Sequence, residues 1–266
     1  MRAPGSRAVL CALAAVASLC TGAPGAEARP LGEIRERGAL TACANPNALP
    51  HASNRPEEPG FQIEIARALA AKMGLKLAID WIVPRMRAST VDCDILLDTI
   101  VSKDIDYRGL RLSVPYQLSG VSLGIAPGQQ PVQKFSDIPP DTRIGVMVNS
   151  LASVMIGKNG ARTVPFAFED EMVIATARGE VYACASSPAS IGYYNLRNPQ
   201  AKLTLVHAED HEPELRWPLA IGMRRADDAL VAAIDAALLQ LLDDGTIAGI
   251  YAKYGVEHRR PPKPAG

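Results

Sequence analysis

Hydrophobic residues along the chain alternate between short strand-like runs and longer segments with a helical repeat. The run LTACA at residues 40–44 predicts a strand. The segment GFQIEIARALAAKMG predicts a helix, because large apolar side chains recur every four residues from Phe61 to Met73 and Gly74 can end it. LKLAIDWIV and CDILLDTIV predict two more strands, the second apolar enough to be buried on both faces. This order of elements indicates a parallel α/β sheet.

A second unit of the same kind follows. TRIGVMV predicts a strand, and Asn149 or Ser150 is suited to cap a helix that reaches Gly157. EDEMVIATARGE then has an amphipathic helical pattern, and VYACAS predicts a buried strand. Between the two units, SVPYQLSGVSLGIAPG has the strand-and-turn character of a crossing segment. The sequence therefore predicts an α/β protein with two lobes.

The last part of the chain predicts two helices separated by Gly245, and the sequence RRPPKPAG after them predicts a loose end. We assign residues 38–116 and 221–256 to lobe I, residues 121–216 to lobe II, and residues 257–266 to a flexible tail. The chain would cross between the lobes near Tyr116–Gly120 and near Trp217–Ile221.

Residues 1–28 have the pattern of a secretory signal peptide. Arg2 and Arg7 precede a run of small apolar residues, and Ala26-Glu27-Ala28 fits a cleavage site. The run is shorter than the ~18 residues expected of a spanning helix, so we expect export to the periplasm and no membrane insertion after cleavage. The full chain has a formal net charge of zero, and removal of this leader leaves a formal charge of −1. That charge favours neither nucleic acid nor an anionic membrane as a partner.

Three cysteines follow the leader, and in an exported protein two of them can form a disulfide. Cys43 and Cys93 each lie at the end of a predicted strand, which favours a bridge between them, whereas Cys184 has the surroundings of a buried thiol. The alternative is three buried free cysteines. No cysteine or histidine spacing indicates a metal site, and we expect no cofactor.

Polar residues follow the first predicted strand, where an open α/β sheet places its ligand crevice. Asn45, Asn47 and His51 would lie on that rim, stiffened by neighbouring prolines; the alternative is a rigid loop with no ligand. Asp98, followed by Thr99, would meet a cation or a metal at the end of its strand, or else cap a neighbouring helix.

Four other residues have a functional and a structural interpretation. Trp81 is either a stacking platform or, as we slightly favour, part of the core. Arg85 and Arg87 contact an anion or a partner, or are solvated surface charges. Ser150 offers an anion its hydroxyl group at a helix N-terminus, or is simply a cap.

Six segments in this order and spacing carry a resemblance to a known family: GFQIEIARALAAKMGLKL, VDCDILL, SVPY, RIGVMVNS, ARGEVYACAS and LDDGTIAGIYAKYGV. They resemble the family 3 periplasmic solute-binding proteins, the receptors of polar amino acid ABC importers, over residues 38–256. The resemblance implies a two-lobed periplasmic binding protein fold of type II, with two parallel-type sheets and two hinge crossings.

A closer branch is indicated by CANPNALP, WIVPRMR, IGYY and WPLAIGMRRADDAL. These segments are similar to the MxaJ/XoxJ-type binding proteins that accompany quinoprotein methanol and ethanol dehydrogenases. Members of that branch have cysteines at the positions of Cys43 and Cys93, which strengthens the predicted disulfide. The branch is thought to bind or assist the PQQ dehydrogenase rather than to serve transport.

The departures from these patterns bear on the ligand. Family 3 amino acid receptors hold the ligand carboxylate with an arginine about ten residues before the tyrosine that corresponds to Tyr116. That position is Asp106 here, and Arg108 is displaced by two residues. The aspartate that holds the ligand ammonium aligns with Ser187. A standard α-amino acid ligand is therefore disfavoured. The closer branch is also imperfectly matched, since its second-lobe tryptophan-glycine-proline is Ser186-Ser187-Pro188 here.

The residues do not indicate catalysis, since the four histidines are scattered and no nucleophile elbow or phosphate-binding loop is present. The expected function is that of an exported binding protein, not an enzyme, that contacts a PQQ-dependent dehydrogenase or its cytochrome. The alternative is a receptor that delivers a small polar solute to an ABC permease.

Overall fold

The computed structural model describes residues 30–82, 92–105, 107, 109–224 and 226–262. The predicted signal peptide lies outside the described residues. Within them the helices are α1 Leu31–Arg37, α2 Phe61–Lys72, α3 Leu151–Lys158, α4 Glu169–Ala177, α5 Pro188–Arg197, α6 Asp228–Asp243 and α7 Thr246–Lys253. The strands are β1 Ala39–Ala44, β2 Asn47–Ala48, β3 Ala52–Ser53, β4 Lys76–Trp81, β5 Ile95–Ile100, β6 Leu110–Leu112, β7 Gln117–Gly120, β8 Ser122–Ile125, β9 Arg143–Met147, β10 Arg162–Phe166, β11 Ala183–Ser186, β12 Thr204–Val206 and β13 Arg216–Arg224.

Lobe I is built on a sheet with the strand order β4-β1-β5-β13-β6, and β7 also pairs with β13. β1 runs parallel to β4 and β5, whereas β13 runs antiparallel to β5, β6 and β7. The sheet is therefore mixed. β13 comes back from lobe II and joins the sheet in the direction opposite to β5. Side chains of α2, α6 and α7 cover it in one apolar core that includes Leu40, Phe61, Ile65, Leu238 and Tyr251.

Lobe II repeats this plan on a sheet with the order β10-β9-β11-β8-β12. β9 is parallel to β10 and β11, and β8 is antiparallel to β11 and β12. Its core includes Leu123, Ile144, Ile156 and Ala185. The two-lobed α/β architecture agrees with the prediction from the sequence. Each sheet is parallel only over three strands, β4-β1-β5 in lobe I and β10-β9-β11 in lobe II.

Local predictions account for the end of α2 and the start of α3. The apolar stripe of α2 is buried at Phe61, Ile65 and Leu69, and Gly74 follows the helix with a φ of 72°. Ser150 caps α3 by accepting a hydrogen bond from the backbone N–H of Ser153 at 3.1 Å. The prediction that β5 is buried on both faces is wrong beyond Ile95: its later residues are only half-buried, because the strand extends past the end of its neighbour β1.

Two connections join the lobes. β7 pairs antiparallel with the first half of β13, from Arg216 to Leu219, so both crossings run side by side. At Gly120 a Cβ would lie 2.2 Å from the carbonyl oxygen of Leu215, so only glycine fits there. Elsewhere α5 of lobe II packs against the end of lobe I, where a Cβ on Gly192 would lie 2.3 Å from the carbonyl oxygen of Gly255.

The flexible tail predicted for residues 257–266 does not hold for its first part. The carbonyl oxygens of Glu257 and Arg259 accept hydrogen bonds from Gln117 and Leu118, at 3.1 and 2.7 Å. Proline-rich composition alone indicated a loose end, but these residues gain partners on the exposed edge of β7. Residues 263–266 lie outside the described residues.

Candidate functional site

The loop after β1 forms one side of the candidate site. The side-chain oxygen of Asn45 accepts a hydrogen bond from the backbone N–H of Asn47 at 3.0 Å, and residues 47–48 pair with residues 52–53 in a small hairpin. Asn45 and Asn47 therefore shape the turn. His51 packs its ring against Phe61, with ring centroids 4.8 Å apart, and stays half-exposed. The loop thus presents an imidazole whose orientation is fixed by packing.

Asp98 occupies a bulge in β5. Leu96 and Thr99 pair with Gly222 and Ala220 of β13, so β5 carries one more residue than its partner at this point. Asp98 has a φ of 54°, a left-handed conformation that aspartate tolerates better than most residues. The bulge turns the side chain of Asp98 toward His51 and α2.

Three side chains from distant parts of the sequence hold the Asp98 carboxylate. Gln62 Nε2 donates to Oδ2 at 2.6 Å, and His51 Nδ1 lies 3.3 Å from the same oxygen. The hydroxyl group of Tyr116 donates to Oδ1 and also accepts the backbone N–H of Asp98, the latter at 3.0 Å. The side chain of Asp98 is only 11% exposed, so protein donors replace most of its water.

The electrostatics match this geometry. Burial alone would raise the pKa of Asp98, but the hydrogen bond and electrostatic effect of His51, together with hydrogen bonds from Tyr116 and Gln62, hold that pKa below its usual value. Burial, followed by the nearby Asp98 charge, raises the pKa values of Tyr116 and Tyr251 well above the usual range. Asp98 is therefore an anion among neutral hydroxyl groups. The buried hydroxyl group of Tyr251 has no hydrogen-bond partner among the described residues.

Lobe II presents a different carboxylate at the carboxyl end of β11. Glu169, in the first turn of α4, accepts hydrogen bonds from the hydroxyl groups of Ser186, Ser187 and Ser190 at 3.2, 3.1 and 2.6 Å. The backbone N–H of Ser187 adds a fourth, at 3.0 Å. Ser187 also caps α5 by accepting from the N–H of Ser190. Two carboxylate oxygens offer about four acceptor positions. The four donors therefore fill the hydrogen-bond acceptor positions of Glu169.

Large apolar side chains are exposed beside these polar groups. In lobe II they follow the adjacent parallel strands β9 and β10 or lie on α3, and we call them the apolar rim: Val148, Leu151, Val154 and Phe168, exposed by 48, 52, 51 and 62%. In lobe I, Trp81 ends β4 and is 41% exposed. The preference for Trp81 in the core is therefore wrong, because β4 is an edge strand and its end is left uncovered.

The other predicted positions divide into three groups. Thr99 lies within the sheet against Gly222 and bonds to the carbonyl oxygen of Leu96 at 3.3 Å, away from the cluster around Asp98. Ser150 acts as a helix cap. Arg85, Arg87, Asp106 and Arg108 lie outside the described residues.

The predicted disulfide is present. Cys43 of β1 is bonded to Cys93, with Cα atoms 5.6 Å apart, and both are buried. It joins the end of β1 to the residues that lead into β5, so it supports the loop and the strand that carry His51 and Asp98. Cys184 is a buried free thiol, and burial raises its pKa to about 11.

The order of elements, the two mixed sheets and the paired crossings define the kind of fold, and the sequence defines the family. Residues 40–257 match the model of the bacterial extracellular solute-binding proteins, family 3. The chain belongs to this family. Among the described residues, no helix combines the length and the apolar character that a membrane crossing requires.

The relatives and solved structures that match this chain are distant in sequence. A probable histidine-binding protein of Neisseria gonorrhoeae is 23% identical over 205 residues, which cover 73% of this chain and 74% of that protein. An ancestral cationic amino acid solute-binding protein superposes with a TM-score of 0.71 at 22% identity, covering 84% of this chain and 98% of the other. MxaJ from Methlophaga aminisulfidivorans superposes with a TM-score of 0.67 at 18% identity, covering 83% and 100%. These structural similarities establish the fold alone.

Three side chains of the site were not predicted from the sequence. Gln62 lies in the first turn of α2 and reaches Asp98, Tyr251 comes from α7, and Glu169 approaches Ser187 from another helix. Glu169 belongs to an amphipathic segment whose acidic start is also typical of an ordinary helix N-terminus. No local signal separates that role from the contact with the serines.

Proposed function

We propose that this protein is a periplasmic binding protein that acts by protein–protein contact as an accessory component of a PQQ-dependent alcohol dehydrogenase system. The observation that carries the proposal is the apolar rim of lobe II. Four large apolar side chains exposed beside the carboxyl ends of adjacent strands form the kind of surface that a protein partner covers.

The state of the polar groups supports the same proposal. Asp98 is held by Gln62, His51 and Tyr116, and Glu169 by three serines. A small cation that entered would have to displace these donors, which costs hydrogen bonds already made. At the position that aligns with the aspartate of the amino acid receptors, Ser187 is occupied as a cap and as a donor to Glu169. The segments shared with the MxaJ/XoxJ-type branch favour the dehydrogenase or its cytochrome as the partner.

The test is calorimetric titration of the mature protein with the periplasmic quinoprotein dehydrogenase of the same organism. We expect saturable binding to the enzyme and no heat from a panel of amino acids, small acids and metal ions. A Leu151→Ser, Phe168→Ser double variant should bind the enzyme at least about tenfold more weakly, because a few side chains at the centre of an interface carry most of its binding energy.

The matched control is Leu239→Ser. Leu239 is 41% exposed on α6 of lobe I, away from the rim, so its replacement should leave the affinity unchanged. Equal binding by the rim variant and the control would contradict the proposed surface. No heat with the enzyme, together with micromolar binding of one small solute, would contradict the proposed function.

A second candidate is a receptor that delivers a small polar solute, other than a standard α-amino acid, to an ABC permease. The half-exposed imidazole of His51, oriented by Asp98 and Phe61, favours it because a fixed polar group at the end of β1 can orient a solute. The same panel tests it: binding of one solute that is weakened in a His51→Ala variant would support the receptor.

A further inference from the structure

The segment after α7 follows the hinge. The backbone N–H of Leu118 in β7 donates to the carbonyl oxygen of Arg259 at 2.7 Å, and the N–H of Arg259 donates to the side-chain oxygen of Gln117 at 3.0 Å. Gln117 returns a hydrogen bond to the carbonyl oxygen of Glu257. Since β13 occupies the other edge of β7, residues 257–259 lie beside the paired crossings as a third extended segment.

One end of this segment is fixed to lobe I. The ring of His258 stacks on Tyr251 of α7, with centroids 5.7 Å apart and ring planes 6° from parallel. His258 Nε2 lies 2.8 Å from the carbonyl oxygen of Tyr116, which begins the first crossing. Arg260 forms an ion pair with Asp243 of α6 at 2.8 Å. All three contacts lie within lobe I and its exit.

The side chain of Arg259 reaches lobe II. Its Nη2 atom donates to both carboxylate oxygens of Asp210 at 2.7 Å, and Nη1 donates to Glu209 at 3.2 Å. Glu209 is fully buried and accepts a hydrogen bond from Ser122 of β8 at 2.8 Å. Residues 208–211 pack on lobe II, since Ala208 belongs to its core. Arg259 is therefore an ionic link between the lobes.

This link differs from an ordinary surface ion pair. The side chain of Arg259 is only 20% exposed, its Nη2 atom contacts both carboxylate oxygens of Asp210, and Nη1 pairs with Glu209, a carboxylate that has no access to water. Burial would raise the pKa of Asp210, but the hydrogen bonds of Arg259 hold it below its usual value. Beyond the link, Pro262 lines a surface cavity together with Leu118 and Pro218, so the segment continues along the hinge.

We propose that residues 257–262 are a hinge strap that sets the angle between the two lobes. A change of that angle moves Asp210 and Glu209 relative to lobe I. The contacts of Arg259 then break, or the Arg259 side chain moves with the two carboxylates. The strap thereby limits how far the lobes open or close before any solute or partner is bound. The inference does not depend on which proposed function is correct, because the contacts lie at the hinge and not at the apolar rim.

The test measures the distance between the lobes in solution. Spin labels are attached at Lys158→Cys on α3 and Gln240→Cys on α6, both exposed, in a chain in which Cys184 is replaced by alanine. Distance distributions are recorded by electron double resonance for the otherwise native chain, for Arg259→Ala, for Arg259→Lys and for a chain that ends at Val256. We expect Arg259→Ala and the shortened chain to give a shifted or broader distribution, and Arg259→Lys to give an intermediate one.

Arg111→Ala is the matched control, because it removes an arginine whose ion pair with Asp228 lies inside lobe I and outside the strap. It should leave the distribution unchanged. If the shortened chain fails to fold, the comparison of Arg259→Lys with Arg111→Ala still tests the strap. Identical distributions for the native chain and all folded Arg259 variants would overturn the inference, as would an equal change in Arg111→Ala.

Discussion

Both lobes place a carboxylate near the carboxyl ends of their parallel strands, but they hold it in different ways. In lobe I, Asp98 is nearly buried in a strand bulge, and its donors come from the loop after β1, from α2 and from the hinge. In lobe II, Glu169 is half-buried on a helix, and its donors are serines within a few residues of one another. The donors of Asp98 come together only when several distant segments of lobe I fold, whereas the donors of Glu169 come from one short segment beside α4.

The difference indicates which lobe tolerates change. The Asp98 cluster ties together separate segments of lobe I, which the disulfide also joins, so it serves rigidity. If the Glu169 side chain moves away, the serine hydroxyl groups around it can rotate and bond to water instead. Lobe II also carries the exposed apolar rim. We therefore expect lobe I to act as the fixed frame and lobe II as the adaptable surface.

The largest expected effect comes from the cysteines. Replacing Cys43 and Cys93 with alanine opens a loop of 50 residues and should lower the free energy of unfolding by about 4 kcal/mol. Replacing Cys184 of lobe II with alanine should cost about 1 kcal/mol, since only a small buried group is lost. Urea unfolding measures both, and alkylation with and without reductant followed by mass spectrometry verifies the bridge. Equal losses would contradict the contrast between the lobes.

The next effect concerns Asp98. Asp98→Ala leaves the buried donors of Tyr116 and Gln62 without an acceptor and should lower the free energy of unfolding by about 3 kcal/mol. Asp98→Asn keeps the shape and tolerates the positive φ, so it should cost about 1 kcal/mol. Chemical denaturation of both variants provides the measurement. A loss below about 1 kcal/mol for the alanine variant would show that the cluster does not stabilise lobe I.

Glu169→Gln should have a smaller effect. The carboxylate is half-buried and its serine donors can bond to water, so we expect a loss of about 0.5 kcal/mol in the free energy of unfolding, less than for Asp98→Asn. The same denaturation experiment compares it with Asp98→Asn, the matched removal of charge in lobe I. A loss for Glu169→Gln that exceeded the loss for Asp98→Ala would reverse the comparison between the lobes.

The smallest effect is a pair of opposite pH dependences. The hydrogen bond to Glu209 raises the pKa of His207 above 6.5, although burial and Arg259 oppose this and Glu257 assists it. The stabilisation by His207 is therefore complete below pH 6.5 and is lost as the pH rises through the raised pKa. Burial lowers the pKa of His258, so its contribution is present above pH 6.5 and is lost as the pH falls.

Stability measured from pH 5 to pH 8 tests this pair. Relative to the native chain, His207→Gln should lose less stability as the pH rises, and His258→Gln should lose less as the pH falls. His258 contacts the carbonyl oxygen of Tyr116 in lobe I and His207 contacts Arg259 from lobe II, so they report on the contacts of the strap with the two lobes. Differences of the same sign in both variants would contradict the assigned shifts.

The sequence by itself determined the family and several of the helices and strands. The repeat from Phe61 to Leu69 set the buried face of α2, Ser150 set the start of α3, and the spacing of six segments identified family 3. These features succeed because periodic burial and helix capping depend on residues within a few positions. The sequence also favoured the pairing of Cys43 with Cys93, because each lies at the end of a predicted strand, and the bond is present.

Only the tertiary structure decided the partners of the charged groups. The sequence left Asp98 as a helix cap or a contact for a cation, and its bulge directs the carboxylate to His51, Gln62 and Tyr116. Arg259, in a segment predicted to be loose, found its carboxylates 49 and 50 residues away in the other lobe. Trp81 became exposed because β4 is an edge strand. Such outcomes depend on which distant segments the fold brings together, and no local pattern carries that information.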